Sequence, residues 1–135
     1  MAWSFTSRAP VYMQIVSRIR ADILGGVYQP DQQIPAVRQL ALTAGVNPNT
    51  MQRAFAVLEA EQLFITRGTI GRFITTDTEV LARAREVMRR ETVARLIEEA
   101  AAVGISPAEL IESIRAYESE HTAEKAEASQ ETDTQ

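Results

Sequence analysis

The sequence has no cysteine. That excludes a disulfide framework, thiol catalysis and cysteine-bound zinc, and it fits a reducing compartment. Histidine is nearly as scarce. The single His121 lies in a C-terminal stretch with almost no large hydrophobes, which leaves no basis for a catalytic triad or a histidine metal site. No glycine-rich phosphate-binding motif occurs. These absences argue against an enzyme, and neither a metal nor a cofactor is expected. No apolar run nears membrane-spanning length, and the opening MAWSFTSRAPVY lacks the charged-then-apolar pattern of a signal peptide. The expectation is a cytoplasmic protein without a membrane partner. What is present is ordinary globular material, 45% hydrophobic and 24% charged, enough in 135 residues for one small-cored domain and an appendage.

The net charge of −4 hides an asymmetry. Residues 1–76 hold seven arginines against Asp22, Asp31, Glu59 and Glu61, a net +3; residues 77–135 hold seven basic against fourteen acidic side chains, a net −7. A basic front half is compatible with an anionic partner, although scattered surface charge gives the same balance.

Residues 1–9 form a short arm carrying Trp3 and Phe5. Tyr12, Ile15, Val16, Ile19 and Ile23 recur at helical spacing and predict a first helix over Val11–Leu24, ended by Gly25-Gly26. VYQPDQQIP reads as a turn and a short extended piece, with Ile34 biased away from helix by the following proline. A second helix is predicted from about Ala36 to Ala44, with Val37, Leu40 and Ala41 inward, and a third from Pro48 to about Glu61. LFITRGTIGRFITT, with Gly68 and Gly71 between runs of Ile, Thr and Phe, is a β-hairpin signal. A long amphipathic helix follows over Glu79–Val103. At GISPAEL, Ser106 as N-cap, Pro107 at N1 and Glu109 at N3 start another. Beyond Tyr117 the Glu-, Ala-, Ser- and Thr-rich sequence is expected to be disordered.

Three helices and a hairpin in under 80 residues imply a winged helix-turn-helix, and GVNPNTMQRAF sharpens that reading. Asn47 precedes a proline and suits the N-cap, able to accept from the N–H of Asn49 or Thr50. Val46 and Met51 are placed for a hydrophobic staple. Met51, Ala54, Phe55 and Leu58 make an inner face, while Asn49, Gln52 and Arg53 share the opposite one with Thr50 at its edge. Asn, Gln and Arg are the side chains that bond base edges bidentately in a major groove, and the exposed N–H groups of a helix start suit phosphate. A solvated polar face with an asparagine cap accounts for the stretch alone equally well. The preceding helix, the tight TAGVN turn and the hairpin favour a recognition helix.

The run PVYMQIVSRIRADILGGVYQPDQQIPAVRQLALTAGVNPNTMQRAFAVLEAEQLFITRGTIGRFI resembles the DNA-binding domain of the GntR family of bacterial transcription regulators, over roughly Pro10–Ile74. VNPNT-x-QRA and the two-helix C-terminal part are similar to the YtrA-type subfamily. The resemblance implies DNA contacts from Arg38, from Asn47, Asn49, Thr50, Gln52 and Arg53 at the third helix, and from Arg67 and Gly68 in the wing. It implies a homodimer on an inverted-repeat operator of double-stranded DNA, acting as a repressor and controlling genes for ABC-type transporters. Three positions depart from the family pattern. The usual Pro-Gly turn is Pro30-Asp31, LPS becomes IPA so that Ala36 replaces a capping serine, and the wing tip reads Gly68-Thr69 with Arg67 and Arg72 as its nearby cations.

The predicted architecture is mainly α (α+β). Residues 1–76 form a winged helix-turn-helix domain, 77–118 a two-helix C-terminal dimerisation hairpin, and 119–135 a disordered acidic tail. Leu96, Ile97, Ala100, Leu110, Ile111, Ile114 and Tyr117 offer more apolar surface than one hairpin buries internally, which predicts a symmetric dimer interface. A winged helix used only for protein contact is the alternative. It is disfavoured because the Asn49/Gln52/Arg53 face offers nothing apolar to a partner. Nothing in the sequence points to a small-molecule effector.

Overall fold

The computed structural model describes residues 2–133. The element order is α1 (Val11–Leu24), α2 (Val37–Ala44), α3 (Pro48–Ala60), β1 (Phe64–Arg67), β2 (Gly71–Ile74), α4 (Thr78–Ala102) and α5 (Pro107–Asp133). Two compact units are present: the first extends to Val87 and the second begins at Met88. The division between these units falls inside α4. The first turns of α4 belong to the first core, where Val80 is buried and Leu81 and Ala84 pack against it.

In the first unit α3 is the central element, packed against both α1 and α2. Ile15, Val16, Ile19 and Ile23 of α1 and Leu40, Ala41 and Ala44 of α2 meet Met51, Ala54, Phe55 and Leu58 of α3, which are all 0% exposed. Phe55 and Phe64 pack edge to face with centroids 5.1 Å apart, which couples α3 to the wing. β1 and β2 pair antiparallel in the register Phe64↔Ile74 to Arg67↔Gly71.

The extended piece before α2 lies along the free edge of β2. The Ile74 N–H donates to the Gln32 carbonyl (2.9 Å), and the Asp31 and Ile34 N–H groups donate to Ile74 and Arg72 carbonyls (2.9 and 3.0 Å). Asp31 takes a left-handed φ of 69°, a conformation Asp tolerates better than most side chains. The substituted Pro-Gly turn therefore keeps the backbone conformation a glycine would give.

α2 ends at Gly45, whose φ is 73°. The Gly45 and Val46 N–H groups donate back to the Ala41 carbonyl (2.9 and 3.0 Å), which closes the helix end. A Cβ on Gly45 would come within 2.8 Å of the Ala2 Cβ. The N-terminal arm is docked against this turn: the Trp3 N–H donates to the Ala44 carbonyl (3.1 Å), and Trp3 and Phe5 pack against the core. Gln14 ties the arm to α1, accepting from the Thr6 N–H (3.0 Å) and donating to the Thr6 and Ala9 carbonyls (2.9 and 2.8 Å).

In the second unit Ser106 caps α5 as its spacing predicts, accepting the Glu109 N–H at 3.2 Å. Among the residues expected at an interface, Ala100 is buried and Leu110 half-buried, whereas Leu96, Ile97, Ile111, Ile114 and Tyr117 are exposed. Over the stretch 119–135, for which composition predicts disorder, α5 runs on to Asp133; residues 134–135 lie outside the described residues. Composition denies this stretch a core, since every side chain described in it is exposed. Ala, Glu, Lys and Gln nonetheless have high helix propensity, and no Gly or Pro follows Pro107 before Asp133 to break the helix.

Candidate nucleic-acid interface

The start of α3 is built as its sequence dictates. Asn47 has extended backbone (φ −64°, ψ 137°), and its side-chain oxygen accepts the Asn49 N–H at 2.8 Å. Pro48 occupies N1, where no hydrogen bond is lost. Met51 is fully buried and Val46 packs against the core, so the helix is pinned from beneath at its first turn. The outer face is then fixed by the helical period. Asn49, Gln52, Arg53 and Ala56 are exposed, and Thr50 at the edge is half-buried. Ala56 leaves room for close approach one turn beyond the polar cluster.

The Arg53 guanidinium lies over the Tyr12 ring of α1, 3.9 Å from its centroid. Arg38 is exposed in the first turn of α2. That helix has Ala36 at its N-cap with no side-chain hydrogen bond, so the N–H groups of its first turn stay open to an outside acceptor. A cavity of about 310 Å³, lined in part by Pro35, Val37, Arg38 and Ile70, lies between this helix start and the wing.

The wing cations are already engaged. Arg67 is ion-paired with Asp31 and lies over Phe73, 4.4 Å from the centroid. Arg72 is ion-paired with Glu59, which also accepts from the Thr66 hydroxyl at 3.1 Å. Arg20 pairs with Glu61. Neither Arg38 nor Arg53 pairs with a carboxylate among the described residues. Gly68, at φ 51°, sits in the wing turn closed by the Ile70 N–H on the Arg67 carbonyl (3.0 Å). Ile70, which sequence reasoning did not single out, is an exposed apolar side chain at that tip. Tyr12 and Asp31 were legible only as a core-spaced aromatic and a substituted glycine. Their contacts with Arg53 and Arg67 come from the packing.

Comparison with known proteins agrees with this geometry. The pattern of the family described as bacterial regulatory proteins, gntR family, matches residues 11–74. The transcriptional repressor YtrA of Bacillus subtilis is 31% identical over 110 residues, which cover 81% of this chain and 85% of that protein. A GntR family transcriptional regulator from Listeria monocytogenes superimposes with a TM-score of 0.72 at 29% identity, over 83% of this chain and 98% of that one. The DNA-binding domain of AraR in complex with operator ORX1 superimposes with a TM-score of 0.50 at 26% identity, over 56% of this chain and 99% of that one.

Proposed function

Because the chain belongs to the GntR family of bacterial regulatory proteins, and is a DNA-binding transcriptional regulator, we propose that it is a repressor that binds an inverted-repeat operator as a homodimer. The observation that carries the reading is the start of α3. There a capped helix is fixed on a fully buried inner face and presents Asn49, Gln52 and Arg53 outward. Those side chains read bases in the major groove, with Thr50 and the Asn47 end of the helix against the backbone. Arg38 and the open first turn of α2 take a phosphate. Gly68 brings the wing backbone near the duplex, and Arg67 reaches phosphate by exchanging its partner Asp31.

The relative named YtrA is a transcriptional repressor, which supports the sign of regulation. Likeness to the YtrA-type subfamily supports transporter genes as the targets. Residues 1–76 are assigned to DNA binding and the helical part from residue 77 to dimer assembly. Leu96, Ile97, Ile111, Ile114 and Tyr117 supply exposed apolar surface for it, with Ala100 and Leu110 inside.

The test is to sequence the DNA recovered with the purified protein and measure binding to the enriched site. The expected result is a palindromic sequence whose half-sites lie about 10 base pairs apart, or a multiple of that. Affinity for it should fall in Asn49→Ala and Gln52→Ala. Recovery of no enriched sequence, with binding governed only by salt, would instead favour a winged helix used for protein contact.

A further inference from the structure

We propose that Tyr12 of α1 is a positioning residue for Arg53, and that its ring sets the base preference at the operator position Arg53 reads. This rests on the recognition-helix reading above and adds a determinant outside the helix-turn-helix itself.

Arginines of the first unit are held in two ways. Arg20, Arg67 and Arg72 each end on a carboxylate, from Glu61, Asp31 and Glu59 respectively. Arg53 ends on an aromatic ring. The two arrangements differ in what they leave available. A carboxylate occupies the in-plane N–H fork, which is the same fork that recognises guanine O6 and N7. A ring occupies only the flat face of the guanidinium and takes none of its five N–H donors. Arg53 is thereby oriented without being consumed.

Tyr12 can serve as a rigid support. It is half-buried, with Ile15 and Val16 buried one turn further along the same helix, and α1 packs directly on α3. An exposed arginine without such a support samples many rotamers, and ordering it on DNA costs entropy at the moment of binding. The stack restricts it beforehand. The Tyr12 hydroxyl has no hydrogen-bond partner among the described residues, so the ring alone accounts for the contact within the protein.

The experiment compares Arg53→Ala, Tyr12→Phe, Tyr12→Leu and the Tyr12→Leu/Arg53→Ala double variant in the full chain. Each is assayed for operator affinity and for base preference at every position of the half-site. Arg53→Ala should weaken binding at least about fivefold and flatten the preference at one position. Tyr12→Leu should weaken it about two- to fivefold and flatten the same position, while Tyr12→Phe keeps both affinity and preference. In the Arg53→Ala background, Tyr12→Leu should cost nothing further.

If Arg53→Ala binds like the parent protein, the assignment of Arg53 to the reading face fails, and this inference fails with it. If Arg53→Ala weakens binding but Tyr12→Leu keeps the parent base preference, or the two losses add, the positioning role alone is overturned. Equal damage from Tyr12→Phe and Tyr12→Leu would also overturn it, since the hydroxyl and not the ring would then matter. Should Tyr12→Leu prove unfolded, Tyr12→Met carries the same expectations, because it keeps apolar volume without a ring face.

Discussion

The Asn47 side chain caps α3 by accepting the Asn49 N–H, and Asn49 itself belongs to the proposed base-reading face. Stability and recognition can be separated here by choice of substitution. Asn47→Ala should lower unfolding stability by about 1 kcal/mol, the usual worth of a cap, measurable as a lower denaturant midpoint at unchanged slope. Asn49→Ala and Gln52→Ala alter exposed side chains; they should leave stability nearly unchanged but cost about 1–3 kcal/mol of operator binding and relax specificity. Arg38→Ala should weaken binding to all sequences alike and reduce the salt slope by about one. Operator affinity unchanged in Gln52→Ala would refute the assigned face. Tyr28 carries a different signature. Half-burial lifts its phenol above the ordinary value of about 10, the Asp22 carboxylate adds to the rise, and Arg18 opposes it. A raised folded-state pKa gives stability that is whole below the unfolded pKa and is lost as pH rises through the folded one. Urea unfolding should therefore show declining stability above about pH 10, with a shallower decline in Tyr28→Phe.

At the scale of elements, the wing differs from a simple basic finger. The segment before α2 lies along β2 and brings Asp31 onto Arg67. A surface pair of this kind is worth at most about 1 kcal/mol to folding, yet Arg67 must exchange that carboxylate before it meets a phosphate. Asp31→Asn keeps a residue that tolerates the left-handed backbone and removes the charge. It should leave thermal stability within about 1 kcal/mol, raise DNA affinity, and steepen the salt dependence by up to about one ion. Loss of a negative charge near DNA would by itself give some gain, so the discriminating measurement is the same substitution in an Arg67→Ala background. The gain should shrink there, and an undiminished gain would show that Asp31 acts without Arg67. α5 teaches a related point about elements: its residues beyond Tyr117 bury nothing that is described, yet remain helical to Asp133. Helix formation there follows propensity, and burial is a separate matter.

For the molecule as a whole, the exposed apolar side chains of the second unit, Leu96, Ile97, Ile111, Ile114 and Tyr117, are the basis for a proposed two-fold dimer. Ile111→Asp would place an uncompensated charge in that interface. It should give monomers by sedimentation at micromolar concentration, with much weaker operator binding, because two half-sites could no longer be engaged together. Removing residues 119–135 takes away no large hydrophobe and should leave the dimer intact. A monomeric full-length protein, or a tail deletion that abolishes dimerisation, would refute this assembly.

Much of this protein is written locally. Asn47-Pro48, Ser106-Pro107 and Gly45 fix where helices begin and end, because caps and left-handed turns are satisfied within a few residues. The 3.6-residue period then fixes which side of α3 is buried and which carries Asn49, Gln52 and Arg53. The family resemblance was legible for the same reason, since it rests on an ordered string of such signals. The sequence did not decide which charges are spent and which are available. Arg67 finds Asp31, Arg72 finds Glu59 and Arg53 finds Tyr12 only when helices, wing and the 31–34 segment pack on one core. Nor did apolar content decide how far α5 extends, since it runs to Asp133 through a stretch with no large hydrophobe. Local geometry is set by neighbours along the chain and can be read there. Pairing across the chain depends on how elements pack, and only the tertiary structure supplies that.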